Sequence, residues 1–307
     1  MSELIVARTD AGVGHLELNR PRVINSLNRE MIHGAIAVLL HWKDDDNVRS
    51  VELTGAGDRG FCAGADVREM AGLVTSDDGW LRFLGAEYEL DALVANYPKP
   101  VTAHMRGITM GGGLGFSAAA SRRIVDRSTH MAMPETKIGL FPDAGVMFQL
   151  SRAGAVGTHI ALTSAPFGGG DALIIGLADE SSEGPLPAPL IDAAGDWIDE
   201  CYTSDDPVEI ARALEAHTHP DARIAARELR ARSPYSVHIA LRALRSAATL
   251  DHDGVLAQDL RVAERMVPVD FVEGVRALLI DKDNMPEWRH ARIEDVPASA
   301  VDEVFAD

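Results

Sequence analysis

Three stretches of the sequence hold residues whose types and spacing could do chemistry. GFCAGAD (60–66) and MGGGLG (110–115) are glycine-containing turns, each following a strand-like run. Glycine lets the backbone approach a ligand and take positive φ. A helix starting just after such a turn presents free backbone N–H groups. Two such turns facing each other could hold one oxyanion between them; tight turns with no ligand account for the same residues, and both readings stay open on the residues alone. The third stretch is MPETKIGLFPDAG (133–145), with the carboxylates Glu135 and Asp143 eight positions apart among apolar neighbours and two prolines. A carboxylate in an apolar setting has its pKa raised and can serve as base or nucleophile. The alternative is structural: Glu135 caps a segment, and Asp143, standing before AGVMFQL, caps a following helix.

Other chemistries find less support. Gly113, Gly115 and Ala118 spell a dinucleotide fingerprint, but that motif needs a long helix and an acidic residue about 20 positions on; here the next strand arrives too early. Ser117 lies in GFSAA, without the second glycine of a nucleophile elbow. Cys62 and Cys201 make neither a disulfide framework nor a zinc site, which wants three or four clustered ligands. His217 and His219, the closest histidine pair, sit in a polar stretch, so no metal site is expected. The formal net charge of −18 opposes binding to nucleic acid or anionic membranes.

The elements that must position these residues follow from the pattern. Residues 2–19 read as a hairpin around Thr9–Gly12, and a helix is predicted from Ser26 or Asn28 to about His41, with Met31, Ile32, Ala35, Val38 and Leu39 at helical spacing. Strands are expected at 50–57, 100–109 and 122–126, with 116–121 helical between the last two. This alternation implies an α/β core. From about residue 187 the pattern is helical, over 207–216, 220–232, 235–249, 253–267 and 270–281. The Pro-rich SSEGPLPAP then divides the chain into a core, 1–185, and a helical region, 186–307. No run approaches a membrane span and the start carries no signal-peptide pattern, so a cytoplasmic protein is the expectation.

Taken together, LNRPRVINSLN (18–28), GAGDRGFCAGADVREM (55–70), GITMGGGLGF (107–116) and MPETKIGLFPDAG resemble the crotonase (enoyl-CoA hydratase/isomerase) superfamily. GITMGGGLG, MPETKIGLFPDAG and DFVEGVRALLIDKDNMPEW (270–288) are similar to the signatures of its 3-hydroxyisobutyryl-CoA hydrolase branch; the stretch 180–230 is shorter than that branch leads one to expect and matches poorly. The resemblance implies a spiral of ββα units followed by a helical C-terminal region. It implies an oxyanion hole from the backbone N–H groups of Ala65 and Gly112, with Gly111 beside them. Ala65 stands where a glycine is expected, a change that a backbone donor tolerates. Hydratases carry two catalytic glutamates; the corresponding positions here are Gly115 and Glu135, so only the second acid is present and Gly115 leaves room where the other would stand. The hydrolase pattern adds an acid at Asp143. Glu87 is implied as a substrate-binding acid, and Arg22 as a contact for the CoA phosphates; an ordinary exposed helix glutamate and a plain surface arginine are the alternatives. The implied substrate is a small 3-hydroxyacyl-CoA of valine breakdown. No cofactor is implied, since CoA arrives as part of the substrate, and a homo-oligomer is expected. Hydration or isomerisation of an enoyl-CoA, or a non-catalytic acyl-CoA-binding subunit, are the other readings.

Overall fold

The computed structural model describes residues 4–75, 79–191 and 196–306. Strands β1 (Ile5–Asp10) and β2 (Val13–Leu18) form the expected hairpin, closed at Ala11–Gly12. Helix α1 (Arg29–Lys43) starts where the Asn28 side chain accepts the Met31 N–H, which satisfies one of the helix's orphan donors. It buries Met31, Ile32, Ala35, Ile36 and Leu39 on one face. Strand β3 (Ser50–Gly55) returns parallel to β2. Along β2 and β3 every second side chain is buried, Leu16 and Leu18 against Val51 and Leu53. The other face carries His15 and Glu52, so this sheet has one core face.

From β3 the chain winds as a spiral. β4 (Gly60–Cys62) is followed by α2 (Val67–Val74) and α3 (Gly79–Ala95). β5 (Val101–His104) and β6 (Ile108–Met110) lead into α4 (Gly112–Ala118). β7 (Arg122–Val125) and β8 (His130–Ala132) lead to α5 (Met147–Leu150) and α6 (Gly154–Thr163). β9 (Phe167–Gly168), α7 (Gly169–Ile174) and β10 (Glu180–Ser181) complete this part. Among the described residues the strands form a six-stranded sheet in the order β1-β2-β3-β5-β7-β10 and a four-stranded sheet in the order β4-β6-β8-β9. Each turn therefore lays one strand in each sheet before a helix, which is the ββα spiral expected.

Two local expectations change. The run 100–109 is not one strand: Gly107, at φ +57°, turns the chain from one sheet to the other, and a Cβ there would stand 2.5 Å from the Arg59 carbonyl oxygen. The helix expected at 116–121 begins earlier, at Gly112, so the glycines of MGGGLG are themselves its first turn.

The remainder is helical: α8 (Trp197–Cys201), α9 (Pro207–Ala216), α10 (Pro220–Arg230), α11 (Pro234–Ala247), α12 (His252–Val275) and α13 (Ala298–Phe305). Pro268 does not divide α12 as the separate segments 253–267 and 270–281 anticipated. Burial of Val267, Phe271 and Val275 on either side of the proline holds the helix through it. At its end, residues 276–280 form a single π turn. α12 packs across α2 and α3. No described helix is long and apolar enough to cross a membrane.

Candidate active site

A cavity of about 250 Å³ opens where the two glycine turns meet α3, the 134–143 stretch and the π turn after α12. Ala65 reaches it because the first turn is tied to the chain before α1. The Leu27 N–H donates to the Gly64 carbonyl and the Asp66 N–H to the Leu27 carbonyl, so Ala65 directs its own N–H to the opposite side. Buried Asn25 donates to the carbonyls of Ala56, Gly60 and Phe61, and Arg20 pairs with Asp66 at 2.7 Å. The second turn pivots at Gly111, whose φ of +52° favours glycine. Gly112 opens α4, where the first N–H groups have no partner within the helix. A Cβ on Gly112 would overlap Glu87 Oε1 and lie 3.5 Å from the Ala65 nitrogen, so the two expected donors and that acid converge.

Glu135 begins a short 3-10 turn, Glu135–Ile138, seated directly on α12. A Cβ on Gly139 would meet the Asp270 carbonyl oxygen at 2.5 Å, and one on Gly274 the Ile138 Cα at 2.6 Å; only paired glycines permit so close a fit. Ser233 N–H donates to the Thr136 carbonyl, and Ser233 Oγ to Asp270 at 2.7 Å, which fixes the turn from a second helix, α11. The Glu135 carboxyl then rests against Gly111, where a Cβ would stand 2.8 Å from Oε1.

The acids of this site are buried and have no cationic partner among the described ion pairs. Glu87 is 2% exposed, Glu135 5% and Asp143 6%. Burial, with a smaller contribution from the Asp143 charge, pushes Glu87 up to about 8. Burial likewise pushes Asp143 up to about 6, opposed by the Tyr88 hydroxyl, which donates to its Oδ2 at 2.5 Å. Glu135 is raised well above the usual carboxylate range by burial and then by the neighbouring Asp143. Glu87 Oε1 and Glu135 Oε2 are buried without a hydrogen-bond partner among the described residues. Among the described residues neither capping alternative holds: the Glu135–Ile138 turn and α5 both lack a side-chain cap, and the Asp143 carboxylate accepts from Tyr88 instead. Nor is Glu87 an ordinary exposed helix residue.

Gly115 brings a correction. It does not leave an empty space: a Cβ there would stand 2.5 Å from Ala144 Cβ and 2.6 Å from the Ala144 oxygen. The position is filled by the loop that carries Asp143.

Of the residues singled out from sequence, Glu135, Asp143, Glu87, Ala65, Gly111 and Gly112 all line the cavity. Arg22 does not; it is exposed on the 3-10 turn Pro21–Val23, where its carbonyl accepts from Arg59. Sequence reasoning missed Lys137, Tyr88 and the pair Leu278–Leu279. Lys137 lines the cavity half-buried, its pKa lowered by burial and by Arg232, and it stands within the MPETKIGLF motif itself. Leu278 and Leu279 close one side from the π turn, and Arg68 reaches from α2 to the Leu279 carbonyl. No signal short of the fold could place them there. Among the described residues, no three His, Cys, Asp or Glu side chains are grouped so as to hold a metal ion.

A two-sheet ββα spiral with acids set beside a pair of converging backbone donors defines a class, and the comparisons agree with it. The enoyl-CoA hydratase/isomerase family model matches residues 13–185 and 180–305, including the stretch in which the motifs matched poorly. The chain belongs to this family. Its relatives include the mitochondrial 3-hydroxyisobutyryl-CoA hydrolase of Gallus gallus, 33% identical over 98% of this chain and 88% of that protein. The 3-hydroxyisobutyryl-CoA hydrolase 1 of Arabidopsis thaliana is also 33% identical, over 98% and 91%. Among solved structures, a carnitinyl-CoA dehydratase from Mycobacterium thermoresistibile is similar, with a TM-score of 0.95 at 40% identity, covering 100% of this chain and 97% of that one. An enoyl-CoA hydratase from Rhodobacter sphaeroides has a TM-score of 0.93 at 33% identity, covering 99% and 97%.

Proposed function

We propose that the protein hydrolyses a small 3-hydroxyacyl-CoA thioester, 3-hydroxyisobutyryl-CoA or 3-hydroxypropionyl-CoA, to the free acid and CoA. The observation that carries this reading is the packing of Gly115 against Ala144. Where a hydratase holds its other glutamate, this chain has a glycine, and the adjoining space is taken by the loop that delivers Asp143 to the cavity. One position excludes the other: a glutamate at 115 would displace that loop. Water addition across a double bond needs two carboxylates flanking the water, whereas thioester cleavage needs one attacking or activating carboxylate near the carbonyl carbon.

In this mechanism the thioester oxygen sits between the N–H groups of Ala65 and Gly112. They stabilise charge that develops only in the tetrahedral intermediate, an effect of about 3 kcal/mol per donor in comparable sites. Glu135 and Asp143, both raised by burial, act as one dyad that holds one proton and one negative charge near neutrality. As Glu135 takes a proton from water, or attacks the carbonyl itself, its own proton has a place on Asp143. The intermediate then expels the CoA thiolate, which needs little help to leave. If Glu135 attacks, water opens the resulting anhydride and restores the carboxylate. Neutral Glu87 donates to the substrate's 3-hydroxyl. Lys137 supplies positive charge to the anionic CoA in a chain of net charge −18.

A second reading, hydration or dehydration of an acyl-CoA, is favoured by the names of the solved neighbours and opposed by Gly115. A thiol reagent with a panel of acyl-CoAs tests the proposal. CoA release from 3-hydroxyacyl esters supports it, and the absence of release from every ester overturns it.

A further inference from the structure

Behind the cavity lie two more carboxyls that the mechanism does not use. Asp91 stands one helical turn after Glu87 on α3, and Asp259 comes from the middle of α12. Both are fully buried. Asp259 Oδ2 accepts the Gly145 N–H at 2.9 Å, while its Oδ1 and both oxygens of Asp91 have no hydrogen-bond partner among the described residues. The bond to Gly145 falls on an unusual piece of backbone. Ala144 is left-handed at φ +55° and Gly145 follows at +75°. A left-handed conformation is unfavourable for alanine, so something must hold the turn that aims Asp143. Packing of Ala144 against Gly115 holds it from one side. Asp259, more than a hundred residues away in sequence, holds it from the other.

We propose that Asp259 is a positioning residue for the thioester hydrolysis: its carboxyl grips the Gly145 N–H and thereby fixes the left-handed turn that presents Asp143 to the substrate. The acid must be neutral because of what faces it. From α3 come Tyr88 and Asp91, with Glu87 next to Asp91; from the cavity side comes Asp143; from α12 itself comes His252, whose ring lies 2.7 Å from where a Gly145 Cβ would stand and whose pKa burial lowers. None of these supplies a cation. The cluster can carry little negative charge, and the Tyr88 hydroxyl draws it to Asp143. Burial, then repulsion from Asp143, accordingly raises Asp259 well above the usual carboxylate range.

This inference rests on the hydrolase reading, and the test separates the two. Asp259→Asn keeps a neutral acceptor for Gly145; Asp259→Leu keeps approximate size but removes it. The Asn variant is expected to retain kcat within about threefold and to leave the acidic limb of the pH–rate profile in place. The Leu variant is expected to lose roughly tenfold to a hundredfold in kcat with KM little changed, as for a small misplacement of a catalytic group. Hydrogen exchange of the segment 141–147, followed by mass spectrometry on the free protein, needs no substrate. It should match wild type in Asp259→Asn and accelerate at least tenfold in Asp259→Leu. Unchanged exchange in the Leu variant overturns the proposal whatever the enzyme's reaction is. An acidic limb that moves in the Asn variant does so too, because it shows that a charge was removed. If Asp259→Leu does not fold, the Asn profile and exchange decide. Absence of thioester cleavage by the wild type would sink the hydrolase reading and leave the exchange result standing.

Discussion

Replacing Glu87 by glutamine should change how stability responds to pH, by an amount the burial of this side chain sets. In the folded chain Glu87 keeps its proton to about 8, against an ordinary value of 4.5. Between those values the folded state binds the proton and the unfolded chain does not, so wild-type stability falls as pH rises. Each pH step costs 1.36 kcal/mol over this window, which amounts to about 3 kcal/mol between pH 4.5 and 7 for this one group. Glutamine has no proton to lose. Any constant penalty from its buried amide, about 1–3 kcal/mol if unpartnered, is the same at every pH and cancels. The stability difference between Glu87→Gln and wild type should therefore shift by about 3 kcal/mol in the variant's favour from pH 4.5 to 7. Urea unfolding of both proteins at four or five pH values measures it. Parallel curves, within roughly 0.5 kcal/mol, would refute the reasoning: Glu87 would then ionise normally in the folded state, and the cavity could not be the buried acid cluster described.

Three further outcomes follow from the same geometry. Glu135→Gln should abolish turnover while leaving the fold and CoA-ester binding intact, since the amide is nearly isosteric but is neither base nor nucleophile; a kcat above about a tenth of wild type would remove the role assigned to it. Gly115→Ala sets a methyl 2.5 Å from Ala144 Cβ, so stability should fall by about 1–3 kcal/mol and kcat should drop with it, as Asp143 shifts; unfolding curves and kinetics indistinguishable from wild type would contradict the packing argument. Because Asp143 is raised to about 6, kcat should decline on the acid side of that value, where the dyad takes up its second proton; a rate constant flat from pH 7.5 down to 4.5 would show that the dyad's charge is not used.

The parts of this picture that were legible in the sequence are those with local causes. The hairpin, the helix beginning near Ser26 or Asn28, the α/β alternation and the glycine turns each follow from residues within a few positions of one another. Glu135 and Asp143 stood out because carboxylates are rare among apolar neighbours. The sheet change at Gly107 was hidden, because Val101–Met110 has the character of one continuous strand and only the approach of Arg59 and Gly60 bends it. The run through Pro268 was hidden for the converse reason: a local rule ends the helix, and tertiary burial of Val267 and Phe271 overrides it. Asp91 and Asp259 carried a weak signal, acids on faces otherwise apolar, but their meeting depends on how α3 and α12 pack. Gly115 was read from the sequence as leaving room, whereas in the fold it makes room for Ala144.

Hydrolysis and hydration are separated by following free thiol and enoyl absorbance in parallel. Both reactions need the same carbonyl polarisation, so the donors at Ala65 and Gly112 cannot discriminate between them; the second acid does. Release of free CoA from 3-hydroxyisobutyryl-CoA or 3-hydroxypropionyl-CoA is expected, with little loss of enoyl absorbance from crotonyl-CoA. Robust hydration of crotonyl-CoA without CoA release from the hydroxyacyl esters would contradict it, and would mean that Asp143 does the work of the glutamate that Gly115 replaces.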